Sequence, residues 1–201
     1  MEKSAKLTMS VKGKCLNNEN FYINFFFLFQ NSVSASIKSK IINNLKLTEN
    51  LKFNFVQIIG KKIEKGECII AYPKKIFCKY NDRYNKILVS DGKSLIINNN
   101  RSNHNYRYRL KNTPLNLILD KNFLIKKMKN SEIENNILNY YSFKIIHEKT
   151  TIIIYFDKNT LNLTGWITND IYQNKVETKI SNVENNLMIN NKIFKIQKYI
   201  N

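Results

Sequence analysis

Glycine and proline are scarce, with five glycines and two prolines in 201 residues. That scarcity excludes collagen, low-complexity sequence and a flexible spacer. The chain has two histidines, His104 and His147, and neither has a Cys, Asp or Glu at metal-ligand spacing. No metal site and no cofactor are expected. A Gly-x-Ser-x-Gly elbow, a phosphate-binding glycine loop and a His-Glu-x-x-His helix are all missing, so no catalytic residue is assigned and no enzyme is expected. The few carboxylates, Glu64, Glu67, Asp91, Glu132, Glu134, Glu148 and Asp157 among them, read as solvated faces and turns.

Arginine is the fourth shortage: 4 Arg stand against 29 Lys. This bears on the net charge of +18, which by itself suggests a phosphate-bearing partner. Phosphate and base recognition favour the forked guanidinium over the ammonium. The lysines are also spread along the chain. Asn, Lys and Ile number 33, 29 and 29, and all three have A/T-rich codons. Most of the charge is read as genome composition on a solvated face. Tyr106-Arg107-Tyr108-Arg109 could stack nucleic-acid bases, but it reads more simply as an amphipathic strand with Tyr packed in and Arg facing out. Hydrophobic residues make up 43% of the chain, too many for disorder and enough for one cored domain.

The N-terminus has the order of an export signal. Lys3, Lys6, Lys12 and Lys14 precede the apolar run Phe21 to Phe29, and Val33 and Ala35 take the −3 and −1 places of a small-residue cleavage site. The run is too short to span a bilayer, which needs about 20 residues. The expected division is a signal peptide over 1–35 and a single domain over 36–201, exported from the cytoplasm. Cys15 precedes the run, so no lipobox is present.

Cys68 and Cys78 lie ten residues apart with Pro73 midway. A hairpin centred on Pro73 would put them side by side, at about 4.5 to 5.5 Å between Cα atoms, within disulfide range. Two separate buried thiols are the alternative.

From Ser36 to about Asn50, Ile37, Ile41, Ile42 and Leu45 mark one face of an amphipathic helix. The period then becomes two. Strands are expected at Phe53, Glu67–Ala71, Ile76–Tyr80, Lys86–Ser90, Leu95–Asn98 and Asn105–Leu110, separated by turn signals of which Asp91-Gly92 is the strongest. Thr113-Pro114 reads as the N-cap and first position of a short helix over Leu115–Leu119, and Asn122–Lys129 as a second helical patch. Strands resume at Asn139–His147, Thr151–Asp157, Leu161–Asn169, Lys175–Glu184 and Ile193–Gln197, about eleven in all. Short turns and the lack of βαβ alternation imply an antiparallel meander. The expected fold is mainly β (α+β): an incomplete, strongly curved antiparallel β-barrel of about eleven strands, with an α-helical lid over an apolar cavity.

Six segments in order resemble the outer-membrane lipoprotein carrier protein (LolA) family. They are Phe53-Asn54-Phe55-Val56-Gln57, Tyr72-Pro73-Lys74-Lys75-Ile76, Leu88-Val89-Ser90-Asp91-Gly92-Lys93-Ser94-Leu95, Thr113-Pro114-Leu115, Asp170 to Thr178 and Asn190 to Phe194. The third, close to the family's LVSDGKTLW, is the most specific. The resemblance implies a periplasmic chaperone that holds lipoprotein acyl chains in its cavity and carries them from the inner to the outer membrane. Its implied partners are acylated lipoproteins, an inner-membrane lipoprotein-releasing transporter and an outer-membrane lipoprotein receptor, with the chain a monomer. Same-fold envelope lipid binding or sensing is the alternative. Nucleic-acid binding ranks below both.

The expected cavity residues are Phe53, Phe55, Ile76, Cys78, Tyr80, Leu88 and Ile96, and the expected lid face is Ile37, Ile41, Leu45, Leu115, Ile118 and Leu119. The family has Arg before the hairpin proline, where it hydrogen-bonds the lid. This chain has Tyr72 there, so Tyr72 is the latch candidate, with one hydroxyl donor in place of five N–H groups.

Overall fold

The computed structural model describes residues 30–99, 104–137 and 139–200, and residues 36–201 form one compact unit. The basic leader and the apolar run lie outside the described residues. Helix α1 spans Gln30–Leu47. It begins before Ser36 because the intervening residues contain no glycine or proline to stop it.

Six strands follow: β1 (Asn50–Ile59), β2 (Lys62–Ala71), β3 (Lys75–Tyr80), β4 (Lys86–Asp91), β5 (Ser94–Asn99) and β6 (His104–Arg109). Two short helices come next, α2 (Leu115–Leu119) and α3 (Lys121–Lys129). The sheet resumes with β7 (Glu134–Ile137), β8 (Tyr140–His147), β9 (Thr150–Asp157), β10 (Leu163–Asn169) and β11 (Lys175–Asn185). All eleven strands form one antiparallel sheet in the order β6-β5-β4-β3-β2-β1-β11-β10-β9-β8-β7. The sheet is open, with β6 and β7 at its edges.

The expected count of eleven matches, but one member differs. The strand expected at Ile193–Gln197 is instead two 3₁₀ turns, Asn191–Phe194 and Ile196–Tyr199. Its apparent alternation comes from Phe194 and Ile196, which do bury together but reach the sheet from tight turns. β7 replaces it in the count, and its polar sequence carries no period-two signal.

The sheet has two differently covered faces. On one, alternate residues such as Phe53, Ile76, Ile145, Ile154 and Trp166 join Ile41, Ile42 and Leu45 of α1, Ile118 and Leu119 of α2, and Leu124 and Met128 of α3 in the main core. On the other, Phe77, Val89 and Ile96 pack under Phe194 and Ile196. The C-terminal segment is pinned there by Asn98 Nδ2 donating to the Tyr199 carbonyl and by the Phe77 and Tyr199 rings, 5.6 Å apart. Register shifts in β1 (between Lys52 and Asn54) and in β10 (between Leu163 and Gly165) add local twist. Two glycines are set by close approach: a Cβ on Gly66 would collide with the Lys79 carbonyl, and one on Gly165 with the Thr178 carbonyl.

Thr113 does not cap α2. Its hydroxyl donates back to the Leu110 carbonyl at 2.8 Å, and Pro114 takes the cap position. At α3 the cap is Asp120, whose Oδ1 accepts from the Phe123 N–H at 3.0 Å.

Candidate functional site

A cavity of about 420 Å³ lies on the helix-covered face of the sheet. β1 contributes Phe53, Phe55 and Gln57 by alternation, and β2 contributes Glu64 and Cys68. β3 brings Ile76, Cys78 and Tyr80, and β4 brings Lys86 and Leu88. Trp166 of β10, Thr178 of β11 and Leu115 of α2 also line it. Cys68 and Cys78 face each other across β2 and β3 and are joined as a disulfide, with 4.1 Å between Cα atoms. Of the two readings of these cysteines, the structure has the bonded pair.

Six of the seven expected cavity residues line it: Phe53, Phe55, Ile76, Cys78, Tyr80 and Leu88. Ile96 does not. It belongs to the opposite core with Phe77 and Val89. The reason is parity. Any two-residue hairpin pairs an even-numbered residue with an odd-numbered one, so Leu88 must face an odd partner, and that partner is Ile97. Leu95 and Ile97 are the β5 residues in the wall, and counting through the Asp91-Gly92 turn would have found them. Of the two tyrosines expected to pack inward from β6, Tyr108 lines the cavity, whereas Tyr106 is 53% exposed on that edge strand.

The six helical residues named for the lid face lie in or against the main core. Ile41, Leu45, Ile118 and Leu119 are buried in the main core, and Ile37 and Leu115 pack against it half-buried. Tyr72 is where the structure departs from the latch expectation. Its hydroxyl is buried with no hydrogen-bond partner among the described residues, and burial pushes its pKa up. The ring serves instead as a platform, with Lys121 Nζ 5.5 Å from its centroid. Lys121, at the start of α3, donates to the carbonyls of Lys46 (2.9 Å) and Thr48 (2.7 Å) at the end of α1. From the β2–β3 turn, the Lys74 N–H donates to the Leu119 carbonyl at 2.9 Å, and Lys74 Nζ pairs with Asp120 at 3.1 Å. Two cations thus serve this junction: Lys74 joins the hairpin to Asp120, and Lys121 joins α3 to the end of α1.

One end of the cavity is polar, and sequence reasoning missed it. Glu64, its side chain 9% exposed, lies between Lys62 Nζ (2.6 Å) and Lys86 Nζ (2.5 Å). Burial works to raise the Glu64 carboxyl, but hydrogen bonds from Lys62 and Lys86 outweigh it and hold its pKa below the ordinary value. Burial pushes the Lys86 ammonium down, against the opposing pull of Glu64. Lys86 also lies 3.7 Å over the Tyr80 ring, which meets Phe55 edge to face at 5.0 Å. Beside Glu64, its cross-strand partner Gln57 donates from Nε2 to Thr178 Oγ1 at 3.1 Å. Among the described residues, no cluster of His, Cys, Asp or Glu could hold a metal ion, and no helix is long and apolar enough to cross a membrane.

The model of the family described as outer membrane lipoprotein carrier protein LolA matches residues 46–197. No curated protein matches the chain. Among solved structures, a LolA superfamily protein from Nitrosomonas europaea is 8% identical over 82% of this chain and 98% of that one, with a TM-score of 0.45. A DUF1329 family protein from Desulfovibrio piger is 8% identical over 83% of this chain and 98% of that one, with a TM-score of 0.46. MucA/MucB from Pseudomonas aeruginosa gives 6% identity over 80% of this chain and 60% of that one, at a TM-score of 0.43. The family model, which covers three quarters of the sequence from β1 to the C-terminal turns, settles the assignment: the chain belongs to the LolA family of outer membrane lipoprotein carrier proteins.

Proposed function

We propose that the chain is a periplasmic carrier that takes lipoprotein acyl chains into the cavity between its sheet and helices. In this reading the open sheet is the incomplete barrel, and α1, α2 and α3 form its lid. The observation that carries it is the apolar-walled space of about 420 Å³ at the sheet–helix boundary. Each methylene buried there recovers about 0.8 kcal/mol, the same per-methylene gain that it has in a bilayer. Exchange between carrier and membrane is then close to balanced and needs no nucleotide. An N-terminal export signal, an inner-membrane releasing transporter and an outer-membrane receptor complete the proposed route.

The test is to purify the chain with an acylated lipoprotein and follow the pair by gel filtration without detergent. A soluble one-to-one complex is expected. A folded protein that leaves the lipoprotein in aggregates overturns the reading. Free lipid in the purified protein, with no lipoprotein retained, would instead decide for a same-fold protein that binds or senses envelope lipids.

A further inference from the structure

Antiparallel hairpins alternate ends, which places the β1–β2 turn, the β3–β4 loop and the β10–β11 loop at one end of the sheet. The register agrees, because Ile59 pairs with both Lys62 and Val176. The cavity reaches this end: Ile59, Lys62, Lys86, Asp170 and Tyr172 are in its wall. Large side chains stand exposed here: Tyr84 at 37%, Ile171 at 40% and Tyr172 at 76%. Tyr106, paired with the cavity residue Ile97, is 53% exposed on the same side of β6.

The charges at this end are unevenly used. Glu64 is held between Lys62 and Lys86. Asp82 Oδ1 accepts from the N–H groups of Tyr84 and Lys86, both at 3.0 Å. Asp170 Oδ1 accepts from the N–H groups of Tyr172 and Asn174, at 2.8 and 2.9 Å. Asp82 and Asp170 are thus engaged on their own loops, while Lys61, Arg83 and Lys175 are exposed; the β8–β9 turn at the same end adds exposed Lys149 beside exposed Glu148. Tyrosine and isoleucine among cations, around the opening of an apolar cavity, match a boundary that is apolar below and anionic above.

We propose that this rim docks directly on an anionic lipid bilayer, so that an acyl chain passes between membrane and cavity without crossing water. The inference rests on the acyl-binding reading of the cavity and adds a membrane surface as a partner in its own right. Docking depends on Lys61, Arg83 and Lys175 for attraction and on Tyr84, Tyr106, Ile171 and Tyr172 for seating at the interface.

The test is co-sedimentation of the full chain with vesicles of phosphatidylcholine alone or mixed with phosphatidylglycerol. Each juxtamembrane cation contributes about fivefold to partitioning onto anionic lipid, so the triple variant Lys61→Glu/Arg83→Glu/Lys175→Glu is expected to lose about a hundredfold or more. The double variant Lys93→Glu/Lys111→Glu, which reverses exposed charges at the opposite end of the sheet, is expected to bind within about twofold of wild type. Tyr84→Ser/Tyr106→Ser tests the seating and is expected to weaken binding without altering its dependence on phosphatidylglycerol. Equal losses in the two charge variants would reduce the effect to net charge and overturn the proposal. So would wild-type partitioning of the triple variant, or binding only when a membrane protein is present in the vesicles. None of the substituted residues lines the cavity, so displacement of a fluorescent acyl probe is run in parallel. Probe binding in every variant with no rim-dependent partitioning defeats the docking alone. Failure of the probe to bind even wild type defeats the cavity reading instead.

Discussion

Replacing Lys121 by Met should loosen α3 without unfolding the sheet. The substitution keeps the apolar stem over the Tyr72 ring and removes the ammonium that donates to the Lys46 and Thr48 carbonyls. A hydrogen bond from a charged donor contributes about 1.5 to 3 kcal/mol, and Lys121 is partly exposed, so about 2 kcal/mol is a fair total for the two. The neighbouring Lys74–Asp120 pair, with side chains 36% and 27% exposed, adds at most about 1 kcal/mol. Since 1.4 kcal/mol is a factor of ten, opening of the helices should become about thirtyfold more frequent. Amide hydrogen exchange reads this directly: Leu124, Ile125 and Met128 should exchange about thirtyfold faster, while the β1 and β11 amides keep their protection. The Tyr72 series sharpens the test. Tyr72→Phe removes a buried hydroxyl that has no partner, so protection should stay level or rise. Tyr72→Arg restores the residue common in the family, but here it places a second cation near Lys121. Two charges about 5.5 Å apart at an effective dielectric of about 20 repel by about 3 kcal/mol. The helices of the Tyr72→Arg variant should therefore open more readily, not less. Slower exchange in Tyr72→Arg, or unchanged exchange in Lys121→Met, would refute the assignment of the tether to Lys121.

Three further outcomes are expected. Leu88→Trp should fill the cavity and weaken binding of a fluorescent acyl probe by tenfold or more, with a urea midpoint close to wild type. Replacing both Cys68 and Cys78 by Ser should cost about 3 kcal/mol in denaturant unfolding, the loop-closure entropy of a link of this length. Glu64 has a depressed folded pKa, so the stability from its ionised form is present above the ordinary glutamate value of 4.5 and is lost as pH falls through the folded value. Urea midpoints measured down through that range should fall more steeply in wild type than in Glu64→Gln.

The strands and their order were legible because turn residues and period-two alternation agree along most of the chain. They failed where alternation has another origin. Phe194 and Ile196 are two apart because both reach the outer face of the sheet, and a 3₁₀ segment can deliver such a pair as well as a strand can. β7 failed for the opposite reason. Its Glu-Asn-Asn-Ile sequence pairs through the backbone with β8 and shows no apolar face to read. The cavity wall was legible to the extent that register was counted. Ile96 was misplaced because hydrophobicity alone does not say which face a residue takes, and Leu95, Ile96 and Ile97 are all apolar.

The charged parts of the site were not legible, and the cause is the same for each. A salt bridge or tether is a coincidence in space between elements far apart in sequence. Lys121 reaches carbonyls some seventy residues upstream, and Lys86 of β4 reaches Glu64 of β2, past the one strand between them. In a chain with 29 lysines, no local pattern marks these two from the others. The family pattern puts a guanidinium before the hairpin proline. Here that place holds an aromatic platform, the hairpin's own cation is Lys74 on Asp120, and α3 supplies a second cation, Lys121, to the carbonyls at the end of α1. Tyr72 and Lys121 should therefore behave as one unit. In a double-mutant cycle, Tyr72→Ala with Lys121→Met should cost less than the sum of the singles by about 1 kcal/mol, the size of a partly shielded cation–π contact. Strict additivity would mean that ring and ammonium stand side by side without acting on each other.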